Sequence, residues 1–401
     1  MMLDQADIVV VGGGVTGFST AYALKKRSFD VIVVEQRFAA FGASGRNSGC
    51  LWLQTASGGG ELELTRRGSE MYAQLRDELG DTFEYRRTGG VFFYETDEQQ
   101  RQLAAYVEDR RAAGVATEFI TREDAVALSP LVPESALGAV FSPDDAQIDT
   151  AKFTRALADA CRRSGVRVYE NTPALGLIWK GGTAAGIRTV RGDVDAGGVV
   201  WATGAWSAGL VDEVQLPITP ARVGMLVTQP TAPVARAIAR GPKGVFNARA
   251  LTSLPQFDPT AFGGDDAERA GLDFEDVAVQ RQDGSFVVGH TWEFASSLNP
   301  HITLDATNLM TRTILARRPE YGRLGVVGLW AGLVGVTPDN LPIIDRIDGL
   351  FVNTGHSFGV ASGPISGELT AQMITGENPT MQPGDFAYAR DSLIERVGVQ
   401  S

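Results

Sequence analysis

Three glycines at fixed spacing, Gly12, Gly14 and Gly17, follow the apolar run Val9-Val10-Val11, and an acid, Glu35, closes the next run, Val31-Ile32-Val33-Val34. Strand, glycine turn, helix, strand and acid in this order suit the binding of an adenine dinucleotide. Gly12 lets the chain turn tightly off the strand, Gly14 leaves room for a pyrophosphate against the backbone, and Gly17 lets helix pack on strand. Val15 and Thr16 open a helix whose unpaired N–H groups favour phosphate. Glu35 stands near the spacing of about 20 residues expected for a carboxylate that accepts from both ribose hydroxyls, where a 2′-phosphate would be repelled. Gln36 and Arg37 follow it and join the nucleotide-binding candidates.

The elements that must position this turn alternate as α/β. A Gly/Ser-rich loop, 41–60, leads to an amphipathic helix carrying Leu62, Leu64, Met71, Leu75 and Leu79. Arg87 to Tyr94 reads as strand, Asp97 to about Ala113 as helix, and Thr121 starts a helix stopped near Pro130. Thr150 to Arg163 is expected as helix and Val166 to Tyr169 as strand. Val199 to Trp206 is a buried strand ending in small residues, where backbone can approach a ligand. Between Ile218 and Tyr321, Met225–Thr228 and Ser285–Gly289 read as strands of a separate antiparallel sheet, with an acidic loop around Asp265-Asp266. The expectation is a Rossmann-like nucleotide domain, discontinuous over 1–84, 145–216 and 322–401, interrupted by an antiparallel-sheet substrate domain over 85–144 and 217–321.

A length of 401 residues with 44% apolar and 21% charged content is ordinary for a globular protein of two domains. The net charge of −12 argues against a nucleic-acid surface. Two cysteines, Cys50 and Cys161, form neither a disulfide framework nor a metal spacing, so no metal is expected and a reducing compartment is the default. No apolar stretch reaches the ~20 residues needed to span a bilayer. A cytoplasmic location follows as an expectation.

Glycine-rich turns recur at Ala202-Thr203-Gly204, Trp330–Gly335 and Gly355–Gly367, as several approaches to one large ligand would require, which favours FAD over a nicotinamide. With VVVGGGVTG, GASGRNSG (42–49), DDAQID (144–149), WATGAW (201–206), WAGLVGVTPDNLPIID (330–345) and NTGHSFGVASGPISGE (353–368), the chain resembles the FAD-dependent D-amino-acid oxidase superfamily nearly end to end. The resemblance implies non-covalent FAD. It places Ser44, Gly45, Arg46, Asn47 and Ser48 beside the flavin, Ala174 opposite the adenine, and Trp206 near the dinucleotide. It also sets the turn of Gly355, His356, Ser357, Phe358, Gly359, Val360 and Ala361 against the flavin's pyrimidine edge, before a helix from about Gly363.

The resemblance further implies oxidation of a C–N bond: hydride leaves the carbon next to an amine of an amino acid or secondary amine for flavin N5, giving an imine. No strong base is then required, in keeping with a sequence that shows no Ser-His-Asp pattern. Relatives hold a substrate carboxylate with an arginine after the WAGL tetrapeptide; here that residue is Val334. Either the carboxylate is held from elsewhere, by Arg222 or Arg249, or the substrate has none next to the reacting carbon; Cys50 and His356 are further pocket candidates. His290, Trp292 and Trp330 are weaker ones. Only Lys243 lies where a lysine could activate oxygen, which leans toward an acceptor other than oxygen. The alternatives are a flavin subunit of a multi-protein amine or opine dehydrogenase complex, or an FAD enzyme of another reaction class.

Overall fold

The computed structural model describes residues 1–208, 214–232, 235–263, 271–295 and 297–394; the acidic loop around Asp265-Asp266 lies outside the described residues. The chain forms two large sheets. In the first, the spatial order is Ile343–Ile347, Leu350–Thr354, Gly192–Trp201, Met2–Val11, Val31–Val34 and Arg167–Tyr169. All but the first pair are parallel. Parallel strands with both faces covered read as unbroken apolar runs, and the period of two divides them between two cores. Ile8 and Val10 pack with Phe18, Leu24, Phe153 and Leu157 on one face. Val9 and Val11 pack with Ile32, Val34 and Trp201 on the other, which the hairpin Ala174–Lys180 and Thr183–Thr189 covers with Leu177, Ala184 and Ile187.

Helices Val15–Lys26, Thr150–Arg163 and Gly359–Thr375 lie on the first face. In Thr150–Arg163 the Asp149 carboxylate accepts from Lys152 N at 3.0 Å, and Phe153, Leu157 and Cys161 form the buried stripe. The C-terminal helix begins at Gly359, four residues before the expected start, so its first turn reaches the ligand cleft described below.

The second sheet runs Val326–Val336, Thr219–Thr228, Phe286–Phe294, Asp273–Gln280, Ile238–Val245, Gly90–Tyr94, Gly138–Ser142 and Glu118–Thr121. It is antiparallel except where Ile238–Arg240 runs parallel to Gly90–Phe92. Helix Leu304–Arg317 covers one face through Leu309, Met310 and Ile314. The opposite face carries Ala221, Val223, Met225, Val277 and Trp292. Val326–Val336 pairs along its length with Thr219–Thr228, so this strand is part of the second sheet although the division at 322 set it with the nucleotide domain.

Candidate active site

The glycine turn opens one long cleft between the sheets. Gly12 has φ +115, and a Cβ there would stand 2.3 Å from the Ala202 carbonyl oxygen. A Cβ on Gly17 would stand 1.9 Å from the Gly12 carbonyl oxygen, so the helix can cross the strand end at this distance only without a side chain. Gly14 faces Ser44, whose Oγ accepts from Val15 N at 3.0 Å. Glu35 is buried, with Oε2 accepting from Gly13 N at 2.7 Å and Oε1 from Arg37 N at 2.9 Å. Burial raises its carboxyl above the usual range, against the lowering effect of those N–H groups.

The cleft has an outer and an inner chamber. Gly12, Gly14, Val15, Thr16, Glu35, Gln36, Ser44, Ala174, Ala202, Thr203, Gly204 and Trp206 line the outer one. Ser44, Arg46, Asn47, Ser48, Cys50, Ser357, Phe358, Val360 and Ala361 line the inner one. Val15, Ala43, Ser44, Val334, His356 and Gly359 border both, so the two are continuous across this waist. The helices beginning at Val15 and Gly359 both start there.

Eight expected residues, with Trp330 as the last, line neither chamber. Gly17 acts in packing, Arg37 is exposed, Gly45 would meet the Ala40 carbonyl oxygen at 2.1 Å if it carried a Cβ, and Gly355 sits in a turn at φ +79. Arg222 is the fifth, and the expectation that it clamps a substrate carboxylate is corrected. Strand alternation sends Val223 and Met225 into the inner chamber and Arg222 to the opposite face, where its Nε donates to Glu293 Oε2 at 3.0 Å. Arg249 is likewise away from the chambers, paired with Glu61 at 3.1 Å. Lys243 is exposed, and among the described residues no lysine lines either chamber. Arg46 is the one guanidinium that lines the cleft among them, in the inner chamber. No carboxylate pairs with it among the described residues; its Nη1 donates to the Phe41 carbonyl, its charge lies over the Phe41 ring at 4.7 Å, and burial lowers its proton affinity.

His356 and Cys50 line the inner chamber as neutral groups. Burial pushes the His356 imidazole down to about 3, and its Nε2 and Nδ1 sit 2.8 Å from Asn353 Oδ1 and Ser362 Oγ. Burial pushes the Cys50 thiol up to about 12. The inner wall holds a cluster that sequence reasoning did not assemble: Glu275, Arg240, Ser48 and His290, with Trp292. His290 Nδ1 lies 3.0 Å from Glu275 Oε2 and its Nε2 2.9 Å from Ser48 Oγ. Trp292 Nε1 donates to the same Glu275 oxygen at 3.1 Å, and Arg240 Nη2 to the other at 3.3 Å. Burial alone would raise Glu275, but His290, Arg240 and Trp292 hold it down at about 2. Trp52 also lines the chamber, with a buried Nε1–H that has no acceptor among the described residues.

A two-sheet α/β fold with a glycine-turn cleft reaching a second sheet defines a class of dinucleotide-binding oxidoreductases. The family model described as FAD dependent oxidoreductase matches residues 7–373; the chain belongs to this family, and FAD is its cofactor. It is 27% identical over 337 residues to D-amino acid dehydrogenase of Granulibacter bethesdensis, covering 82% of this chain and 73% of that one. It is 25% identical over 406 residues to glycine oxidase of Pseudomonas aeruginosa, covering 95% and 98%. A 29% match to the mitochondrial pyruvate dehydrogenase phosphatase regulatory subunit of Mus musculus covers 56% of this chain but 26% of that protein, so the chain spans about a quarter of its length. Among solved structures, glycine oxidase from Geobacillus kaustophilus superimposes with a TM-score of 0.82 at 21% identity, covering 96% of this chain and 99% of that one. L-proline dehydrogenase from P. horikoshii gives 0.81 at 24% identity, covering 98% and 99%.

Proposed function

We propose that this protein oxidises the C–N bond of an amino acid or secondary amine to an imine. The observation that carries the reading is the continuity of the outer and inner chambers across Ser44, Val334 and His356, which joins a glycine-lined cleft to a largely apolar chamber. The relatives named for glycine, D-amino acids and proline support the substrate class.

The residues fit FAD. Glu35 and Ala174 would hold the adenosine end, Gly12 and Gly14 leave the backbone open to a diphosphate, and the helix N-termini at Val15 and Gly359 offer N–H groups to negative charge. Bound there without a covalent link, the flavin supplies the hydride acceptor. Ser44–Ser48 and Gly359–Ala361 flank that end of the cleft, while Trp52, Trp292, Val223 and Met225 desolvate the amine. Arg46 takes the place of Arg222 and Arg249 as partner for a substrate carboxylate, since Val334 offers none. With no lysine at the chambers among the described residues, the reduced enzyme reacts slowly with oxygen and passes electrons to another acceptor. The two-domain division and a cytoplasmic location belong to the same proposal, with 326–336 moved to the substrate domain.

Anaerobic bleaching of the bound flavin near ~450 nm, a property of the cofactor, tests the reading against proline, sarcosine, D-amino acids, opines and polyamine conjugates. Bleaching by a carboxylate-bearing amine, weakened in Arg46→Met, is the expected result. Intact FAD that no amine bleaches, but a hydroxy acid or an added partner subunit does, would move the protein to another class.

A further inference from the structure

The wall of the inner chamber contains a serine, a histidine and a carboxylate in series, drawn from a loop near the N-terminus and two adjacent strands of the second sheet. A carboxylate only accepts, so the His290 Nδ1–H donates to Glu275 Oε2 at 3.0 Å. A neutral ring then presents the Nε2 lone pair to the Ser48 hydroxyl at 2.9 Å. Ser48 Oγ is also 3.3 Å from Cys50 Sγ. This third contact lets the chain rest in either of two states. With neutral imidazole, Ser48 donates to His290. With imidazolium, His290 donates to Ser48, whose hydroxyl turns to Cys50. The Ser48 hydroxyl thus has an acceptor both before and after a proton arrives.

The geometry points to a buried proton relay, in which the substrate ammonium gives a proton to Ser48 Oγ while the Ser48 hydroxyl proton passes to His290 Nε2. The N–H bond of the ammonium and the O–H bond of Ser48 break, new O–H and N–H bonds form, and the products are a neutral amine and an imidazolium paired with Glu275. This inference rests on the proposed amine oxidation, which needs the free amine. Both nitrogens of His290 are already bonded, so Ser48, which lines the chamber, is the group able to meet substrate. Ser48 would thus be catalytic, and His290 and Glu275 positioning residues behind it.

The charges around the imidazole support transfer. Glu275 faces it from the adjacent strand, and Arg240, wholly buried behind Glu275, keeps that carboxylate ionised. Arg46 and His356 line the same chamber, and Cys50 and Asp145 are further titratable groups near the relay. The apolar wall of Trp52, Val223 and Met225 penalises the ammonium, whereas the imidazolium gains a carboxylate partner.

Two measurements on the FAD-loaded protein test this. With three histidines in the chain, ¹⁵N spectra assigned with His290→Asn read the resting tautomer directly. A neutral ring protonated on Nδ1 is expected; a ring protonated on Nε2, or an imidazolium throughout pH 7 to 9, would overturn the relay whatever the activity. The second is the rate of anaerobic flavin bleaching against pH, using the panel amine that reduces the wild type fastest. Ser48→Ala and Glu275→Gln should slow it about 10²-fold near pH 7, the scale of a lost general base. The gap should close to about 3-fold near pH 10, where solvent removes the proton instead. A loss equal at every pH, or no loss, refutes the relay while leaving amine oxidation standing. Failure of every amine to bleach the wild type refutes the parent reading, and the tautomer then judges the geometry alone.

Discussion

Replacing Glu35 with Gln separates the cost of burying a charge from its use in binding. In the apoprotein, Glu35 accepts Gly13 N at 2.7 Å and Arg37 N at 2.9 Å from a buried position. Its folded-state proton affinity is raised by burial, so the folded chain binds that proton more tightly than the unfolded chain does. The sign follows: ionised Glu35 subtracts from stability at pH 7, and stability is regained as pH falls through the raised value toward the usual carboxylate range. Glutamine keeps one acceptor, losing one N–H bond worth about 1 kcal/mol but no longer burying a charge. Apoprotein stability should therefore move by less than about 1 kcal/mol, since the two effects oppose. Binding has no such offset. Two ribose hydroxyls donating to a carboxylate instead of an amide oxygen differ by about 2 kcal/mol in total, or about 30-fold in Kd. FAD fluorescence quenching gives the affinity, and thermal melts of the apoprotein from pH 4 to 8 give the stability. An unchanged Kd in a folded variant would refute the assignment of Glu35 to the ribose.

Gly17→Ala forces a Cβ to within 1.9 Å of the Gly12 carbonyl oxygen, and should cost at least about 3 kcal/mol on denaturant unfolding together with FAD content. Cys50 and Cys161 are both held up at about 12 by burial, so intact-mass analysis should show neither alkylated by iodoacetamide at pH 8 until the chain unfolds. Arg222→Ala leaves Glu293 without its guanidinium and should lower stability by about 1–3 kcal/mol with KM unchanged in steady-state kinetics. Lys243→Met should leave the rate of flavin reoxidation by oxygen unaltered in stopped flow, because that side chain is exposed and away from both chambers.

The glycine-turn end of the cleft was legible because its signal is local. Gly12, Gly14, Gly17 and Glu35 are placed by one strand-helix-strand unit, and the helix bounds Thr150–Arg163 follow from an Asp cap and a 3.6-residue stripe. The inner end depended on strand register in the second sheet, which no local pattern fixes. One residue of alternation decided that Val223 and Met225, and not Arg222, face the chamber. Glu275 and Arg240 carried a weak signal as ionisable residues within strand-like runs, Asp273–Gln280 and Ile238–Val245, but only pairing across the sheet shows that they are buried against each other. The Ser48, His290 and Glu275 series was invisible for the same reason, since it joins a loop near the N-terminus to two central strands.

The central claim is that both chambers serve one cofactor and one substrate site, and a crystal structure with FAD bound tests it most directly. The account predicts the adenosine against Glu35 and Ala174, the ring against Ser44–Ser48 and Gly359–Ala361, and the inner chamber left open beside it. A flavin ring directed away from the chamber that holds Ser48, His290 and Trp292 would contradict it.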